Sequence, residues 1–481
     1  HGTTKLYGNV FDRPWWREKN AFVRASEFQD PGADAERITP SFNPEEREAD
    51  LMRVALTDIA DPDSAEGFGN DRRFYVTGAE QSFDIDHSLF GQSGSLETGV
   101  RLHYERFVNK NKIVDEIGSR EGVFYRGENP SPENPATIVG EYTVYETRAL
   151  ALYGIEDIEL GPLRLSPGMR LEVFNQSVTD RLDGNRRSEE TNVVPLPGFG
   201  FNLNLGRYDL GAPLNEGQFN LFGGVHRGYT PPSRATFRIL GTSDPDREGA
   251  FNLQAEKSWN SELGIRGRSG AGQFQFTGFH LYVEDLVGGK TRFRENLGLV
   301  RSYGLEAQTT LDGGAFASVL PTLDVSYTLL QTEVVEGQVP DWFNTDEIVD
   351  ISGNELVAAP NHTATVGLSK TFSDLGLTLR SSMRYRGEFY TDLQNLGYDL
   401  TSNRGERGPV PSHTVFDVGA TYRYSDDLRF NLTAKNVTDN VYIGSRLHSN
   451  PRDRRASSNG GSTGILPGPR RQINLSVQYN F

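Results

Sequence analysis

The sequence predicts an all-β protein, a transmembrane antiparallel β-barrel with about sixteen strands in this chain. Three observations lead there. Apolar and polar residues alternate with period two in segment after segment. The connections between segments switch between short and long. No run of roughly 18 apolar residues is present to serve as a membrane-spanning helix, and a barrel needs none because only alternate residues face lipid.

Composition fits that class. Only 36% of the 481 residues are hydrophobic, yet aromatics reach 11% and there are 52 glycines, which suits strands and turns better than helix bundles. With no cysteine there is neither a disulfide framework nor a thiolate metal site. Lys and Arg total 49 against 65 Asp and Glu, a formal charge of −16, which argues against a nucleic-acid partner because phosphate neutralisation needs a basic surface. The opening HGTTKLYGNV has no basic stretch followed by an apolar one. An exported protein beginning here is expected to be a mature form or a fragment.

The strands follow in order. RFYVTGAEQSF, SLETGVRLHYERF, YTVYETRALALYG and LRLSPGMRLEVF alternate within the first 180 residues. FGFNLNLG, QFNLFGG, WNSELGIRGR and FQFTGFHLY come next. In SYGLEAQTTL, Tyr303, Leu305, Ala307 and Leu311 oppose Glu306, Gln308 and Thr310. TATVGLSKTF and LGLTLRSSMRYR flank Ser373-Asp374. Phe416, Val418, Ala420, Tyr422 and Tyr424 share one face, opposite Asp417, Thr421 and Arg423, and Ser425-Asp426-Asp427 turns the chain into Leu428, Phe430, Leu432 and Ala434. A dry core would not accept that unpaired charge, so the polar face is expected to line a wetted lumen. The last segment, RRQINLSVQYNF, keeps the pattern to the terminal Phe481, with an uncharged amide-rich face opposite the apolar one.

The short connections are Gly161-Pro162, Arg268 to Gly272, Ser373-Asp374 and Ser425 to Asp427. The long ones run from about Pro14 to Arg72, Gly228 to Lys257, Gln331 to Ala359, Glu388 to Ser412 and Asp439 to Gly468. Short turns on one side and long loops on the other are the pattern of outer-membrane barrels. Loops above about 15 residues in compact domains usually carry function.

Several motifs lead elsewhere on their face. GGSTG at Gly460 to Gly464 matches the hydrolase elbow but lies in a loop, without the strand before it and helix after it that the elbow needs. The acids and glycines of Asp61 to Asp71 allow a calcium loop, though without EF-hand spacing. The eight histidines form no H-E-x-x-H pair. Trp15-Trp16 beside Arg13 and Arg17 read as an interface girdle, with core packing as the alternative. Loop arginines have two readings as well: solvated charge or contact with anionic lipopolysaccharide, or a cationic vestibule gripping carboxylates. The candidates for the second are Arg120, Arg126, Arg187, Arg292, Arg294, Arg452 and Arg454.

GVHRGYTPPS (from Gly224), LQAEKSWNSELGIRG (from Leu253), NLGLVRSYGLEAQ, APNHTATVGL, LTAKNVTDNVY and the closing PGPRRQINLSVQYNF resemble the TonB-dependent outer-membrane receptors, most closely the ferric citrate receptors. YGNVFDRPWWRE and NVVPLPGFGFNL are similar to upstream barrel segments of the same family. The resemblance covers most of the chain. It implies a 22-strand barrel filled by an N-terminal plug, and a terminal aromatic read by the barrel-assembly machinery. KLYGNVF would then be roughly the seventh strand, so residues 1–481 are expected to be the C-terminal part of such a barrel, the plug and first strands lying outside them; a plugless sixteen-strand pore is the alternative. The implied location is the outer membrane of a Gram-negative bacterium, as a monomeric barrel in contact with outer-membrane lipid and lipopolysaccharide.

The implied function is uptake of a ferric chelate, ferric dicitrate or another carboxylate siderophore, driven by the TonB–ExbB–ExbD complex. No enzymatic step and no cofactor are expected, with iron present only as part of the cargo. The resemblance adds Asn459 as a ligand-contact candidate, shortly before the last strand. Other classes left open are a passive porin, uptake of a non-iron nutrient and a soluble surface-binding β protein. The loop pattern sets an orientation. An epitope inserted near Ser457 is expected to be reached by antibody on intact cells, whereas one in the Ser425 turn is not; the reverse result would invert the topology.

Overall fold

The computed structural model describes residues 1–18, 22–23, 37–38, 67–89, 91–114, 117–120, 123–126, 138–182, 184–231, 255–290, 293–296, 298–341, 347–397, 408–446 and 465–480. Among them the dominant element is one sixteen-stranded sheet in which every strand pairs antiparallel with its sequence neighbour. The strands are β1 (Gly2–Glu18), β2 (Gly67–Leu89), β3 (Gln92–Val114), β4 (Ile138–Leu160), β5 (Leu163–Asp180), β6 (Arg186–Asp209), β7 (Glu216–Thr230) and β8 (Glu256–Ser269). They continue as β9 (Gly272–Glu284), β10 (Leu299–Asp312), β11 (Thr322–Glu336), β12 (His362–Phe372), β13 (Leu377–Arg386), β14 (His413–Arg423), β15 (Leu428–Lys435) and β16 (Gln472–Tyr479). β1 and β16 are the two edges of the sheet. The strand number matches the sequence expectation. β1 and β11 are the two strands absent from the alternating segments quoted above.

Register converts the period-two pattern into two surfaces. Leu6, Ala79, Leu102, Leu150, Val173 and Val193 stand opposite one another across β1 to β6. Leu221, Ile265, Phe276, Ala307, Tyr327 and Ala364 do the same across β7 to β12. Leu379, Ala420, Leu432 and Leu475 complete the band. This face is open to its surroundings: Leu6 is 79% exposed, Leu263 and Leu305 each 57% and Leu475 70%. So long an apolar surface has no place in water, and lipid is the medium that accommodates it. On the other face Arg266, Gln275, Gln308, Ser326, Thr365 and Arg384 form one row. Around that row lies a polar recess of about 640 Å³, lined also by Arg268, Gln218, Thr310 and Asp324.

The short connections fall where expected. Gly161-Pro162 joins β4 to β5, with Gly161 at φ +63°, and a 3-10 turn at Ser373–Leu375 joins β12 to β13. Two corrections concern the other side. The loop expected from Pro14 to Arg72 is shorter, because β1 runs to Glu18 and β2 begins at Gly67, so Pro14 pairs with Asp71. A proline lacks the ladder N–H, but within the described sheet β1 has only β2 as neighbour there. The same reason accounts for Pro195 and Pro197 inside β6: they lie where β6 has only β5 as neighbour, since pairing with β7 starts at Gly198. The alternation of lengths also has an exception at Arg181–Asn185, between β5 and β6. Side chains close this turn: Arg181 donates to Asn185 Oδ1 at 2.8 Å, and the Leu182 N–H donates to Asp180 Oδ1 at 2.9 Å. Trp15 and Trp16 lie on β1, opposite Asn70 and Gly69. Phe481, Asp61 to Glu66 and the GGSTG segment fall outside the described residues.

After β15 the chain is anchored by Asn436, only 2% exposed. Its Nδ2 donates to the carbonyls of Asn440 (2.9 Å) and Pro469 (3.0 Å), and its Oδ1 accepts from the Asn440 N–H at 2.9 Å. Nearby, the Arg470 guanidinium and the Arg471 N–H hold the Asp439 carboxyl well below the usual carboxylate range. Asn436 sits at φ +48°, where a short amide side chain is tolerated. Asn436→Ala removes its side-chain bonds and leaves a Cβ residue in the left-handed region, so a loss of roughly 2–4 kcal/mol is expected. Urea titration of the folded, heat-modifiable species in detergent would read it.

Candidate functional site

The polar face gathers its charged and aromatic side chains at two places. On β1 to β5 the row begins with Tyr7, which lies across Gly78 of β2. A Cβ at Gly78 would come within 2.2 Å of the Tyr7 hydroxyl, so glycine is what lets the ring lie flat there. Tyr153 of β4 covers Gly99 of β3 in the same way, with 2.7 Å between a Gly99 Cβ and its hydroxyl. Arg101 donates to Tyr7 Oη at 3.1 Å, and the same hydroxyl meets His103 Nδ1 at 2.7 Å. Arg170 lies over the Tyr153 ring, 5.5 Å from its centroid, and donates to Glu172 at 2.7 Å. Phe174 stacks on Tyr229 of β7 with 5.6 Å between centroids.

The second place is the outer end of β13 and β14. Arg384 donates to Asp417 at 2.7 Å, and the Asn436 N–H donates to the other oxygen of that carboxylate at 2.9 Å. Arg446, 7% exposed, donates to the Pro409 carbonyl from Nε at 3.2 Å and from a terminal nitrogen at 3.0 Å. The His413 ring stacks on Tyr442, 4.3 Å between centroids. Below and between these places the recess around Arg266 and Arg268 is rich in amides and hydroxyls. Such a face can bind anionic, hydrogen-bonding solutes without covalent chemistry.

The family model for TonB dependent receptor-like β-barrels matches residues 12–437. The chain belongs to this family. Its members are transport receptors, not enzymes, so the polar face is the luminal one. No curated protein matches the chain by sequence. Among solved structures it is similar to the ferric citrate transporter FecA in the unliganded form, at 18% identity and a TM-score of 0.64, over 89% of this chain and 57% of that one. The ferric-catecholate import receptor Fiu from E. coli K12, closed form, gives 14% and 0.62, covering 99% and 72%. The copper transporter OprC gives 15% and 0.59, covering 88% and 60%. At these identities the likeness is one of fold, and the chain spans little more than half the length of FecA.

The residues singled out from the sequence are not brought together by the described structure. Arg120 and Arg126 sit on a small hairpin, Ile117–Arg120 with Val123–Arg126, in the connection after β3, and Arg294 on another, Val287–Lys290 with Phe293–Asn296, in the connection after β9. Arg292, Arg452, Arg454 and Asn459 lie outside the described residues. Arg187 shares the outward face with Val193. It donates to Glu189 at 3.0 Å and stands 3.9 Å from Glu146, which also accepts from Tyr104. That position, just beyond the apolar band, suits the lipid boundary and turns away from a luminal vestibule. The luminal arginines Arg101, Arg170 and Arg384 stand on strands, whereas the sequence expectation named loop arginines. The signal was present: Arg101 stands between Val100 and Leu102, at the parity opposite two lipid-facing residues.

Glu172 is 6% exposed and neutralises Arg170. Glu172→Ala is expected to destabilise the barrel by roughly 2–4 kcal/mol, since it strands a charge, while Glu172→Gln keeps an acceptor and costs less. Unfolding followed by the heat-modifiable band in both variants checks the order.

Proposed function

We propose that the chain is the C-terminal part of an outer-membrane receptor of a Gram-negative bacterium that takes up a ferric chelate through TonB-dependent transport. The observation that carries the reading is a luminal face set with arginines and tyrosines, behind an uninterrupted lipid-facing band, in a chain of this family. Ferric dicitrate or another carboxylate chelate is the proposed cargo. FecA among the fold neighbours and the guanidinium groups of the lumen support it. The iron travels within the cargo, and the protein is proposed to need no cofactor of its own.

The two free edges of the sheet support the partial-barrel reading. Unpaired backbone groups in lipid are costly, and β1 and β16 both present exposed apolar side chains at their edges. Upstream strands would complete a barrel of about 22 strands, as in the resemblance above, with a plug filling its lumen and engaging the TonB–ExbB–ExbD complex. Arg120, Arg126, Arg292, Arg294, Arg452, Arg454 and Asn459 are proposed to contribute at the outer mouth, and Arg187 at the lipopolysaccharide boundary, in a monomeric barrel. Uptake of another metal complex is a second reading, favoured by the copper transporter among the fold neighbours.

The test uses the full-length receptor in cells lacking other ferric citrate uptake. Saturable accumulation of radioactive iron from ferric dicitrate is expected, abolished when TonB is deleted. Accumulation that is non-saturable and indifferent to TonB would make the protein a passive pore.

A further inference from the structure

We propose that Arg386, at the outer end of β13, binds an anionic group of the chelate inside the lumen. This rests on the uptake reading above and gives it a residue that the sequence alone did not single out.

Arg386 is luminal by parity. Met383 and Tyr385 belong to the lipid-facing rows, and Arg384 and Arg386 to the opposite face. The other arginines of that face described above have acceptors: Tyr7 for Arg101, Glu172 for Arg170, Asp417 for Arg384 and Gln218 for Arg268; Arg446, in the connection after β15, has a backbone carbonyl. Arg266 donates to Asn202 at 3.1 Å. Arg386 is partly buried and has no hydrogen-bond or ion-pair partner among the described residues. What it has is a floor. Its guanidinium carbon lies 4.0 Å from the centroid of the Phe389 ring.

That floor is itself built in. Phe389 is 3% exposed and Val410 fully buried, and the two exchange backbone hydrogen bonds of 3.2 and 2.8 Å. The Gly387 N–H donates to the His362 carbonyl at 2.8 Å, fixing the turn that carries Phe389 under the arginine. Arg446 grips Pro409 next to Val410. His413, opposite Arg386 in the ladder, is held against Tyr442.

Drawing a guanidinium out of water with no counter-charge is unfavourable. Among the described residues a rigid shell holds one in that condition, its ring-stacked face satisfied and its N–H edge without an acceptor there. An edge of that kind matches a carboxylate bidentately, with little conformational freedom left to lose on binding. The ligand class is therefore an anionic, carboxylate-bearing ferric chelate. A carboxylate from a protein segment lying in the lumen has the same chemistry, and the test separates the two.

Ferric dicitrate is titrated into the detergent-purified full-length receptor at low and at high salt, for wild type, Arg386→Gln and Arg386→Lys. Heat-modifiable migration reports assembly. Arg386→Gln is expected to weaken binding by about 10- to 100-fold and to flatten the salt dependence, with Arg386→Lys weakened less. If Arg386→Gln does not assemble, Arg386→Lys decides: a loss of about fivefold or more upholds the site, because the planar fork is gone while the charge remains. Unchanged affinity in the assembled variants overturns the proposal and leaves the uptake reading standing. Unchanged affinity with a lowered unfolding temperature assigns Arg386 to a protein carboxylate instead. Failure of wild type to bind ferric dicitrate or any other anionic ferric chelate overturns the uptake reading and the site together.

Discussion

The antiparallel ladder, kept in register across sixteen strands, is the constraint on which everything else in this molecule depends. Within lipid no water is available to backbone N–H and C=O groups, so each must find its partner in a neighbouring strand. The same ladder fixes which side chains meet the membrane. Leu305 lies in the outward row between Gly278 and Leu329, while Glu306 lies in the inward one beside Thr277 and Thr328. A slip of one residue would exchange them and place a carboxylate in lipid. The polar and apolar sequence positions therefore hold the register, and the register holds the barrel wall.

Within the lumen a different economy operates. The chain carries a formal charge of −16, yet arginine and tyrosine dominate the described contacts of the polar face along β1 to β5. Most of these cations are matched locally, Arg170 by Glu172 and Arg384 by Asp417. Local pairing keeps the wall stable while leaving little unspecific attraction for passing anions. Recognition can then reside in a few groups whose hydrogen-bonding edges are left over. Glycines assist by letting tyrosines lie flat across neighbouring strands, which holds the rings in fixed orientations.

At the long-loop end the described portions of successive connections pack into one another. Asn354 donates to the Leu393 carbonyl at 2.9 Å, and Asn395 both accepts from the Glu355 N–H at 2.7 Å and donates to the Glu355 carbonyl at 3.0 Å. Val334, Val339 and Ile351 form a small apolar core there with Leu286, Leu356 and Leu393. Amide side chains are suited to this work because each supplies donors and an acceptor to backbone that has left the ladder. A solute approaching this sector meets a preformed surface, so little ordering of these residues opposes its binding.

The sequence by itself determined the class, the two faces and the approximate strand number, because period-two alternation and turn chemistry are local properties. Ser425 to Asp427 announced a turn, and Leu305 with Glu306 announced opposite faces, before any partner strand was known. It misplaced the ends of β1 and β2, since a proline such as Pro14 reads as a break in a linear pattern although it pairs with Asp71 in the sheet. It pointed to arginines in the loops, where they are conspicuous, and did not single out Arg101 and Arg170 on the strands. Only the tertiary structure decided which arginine has an acceptor. That depends on residues far apart in the chain: Asp417 lies 33 positions from the Arg384 it neutralises, and Tyr7 lies 94 positions from Arg101. Charge compensation is set by the distance between groups in space, and a linear pattern carries that information only after register has brought the strands together.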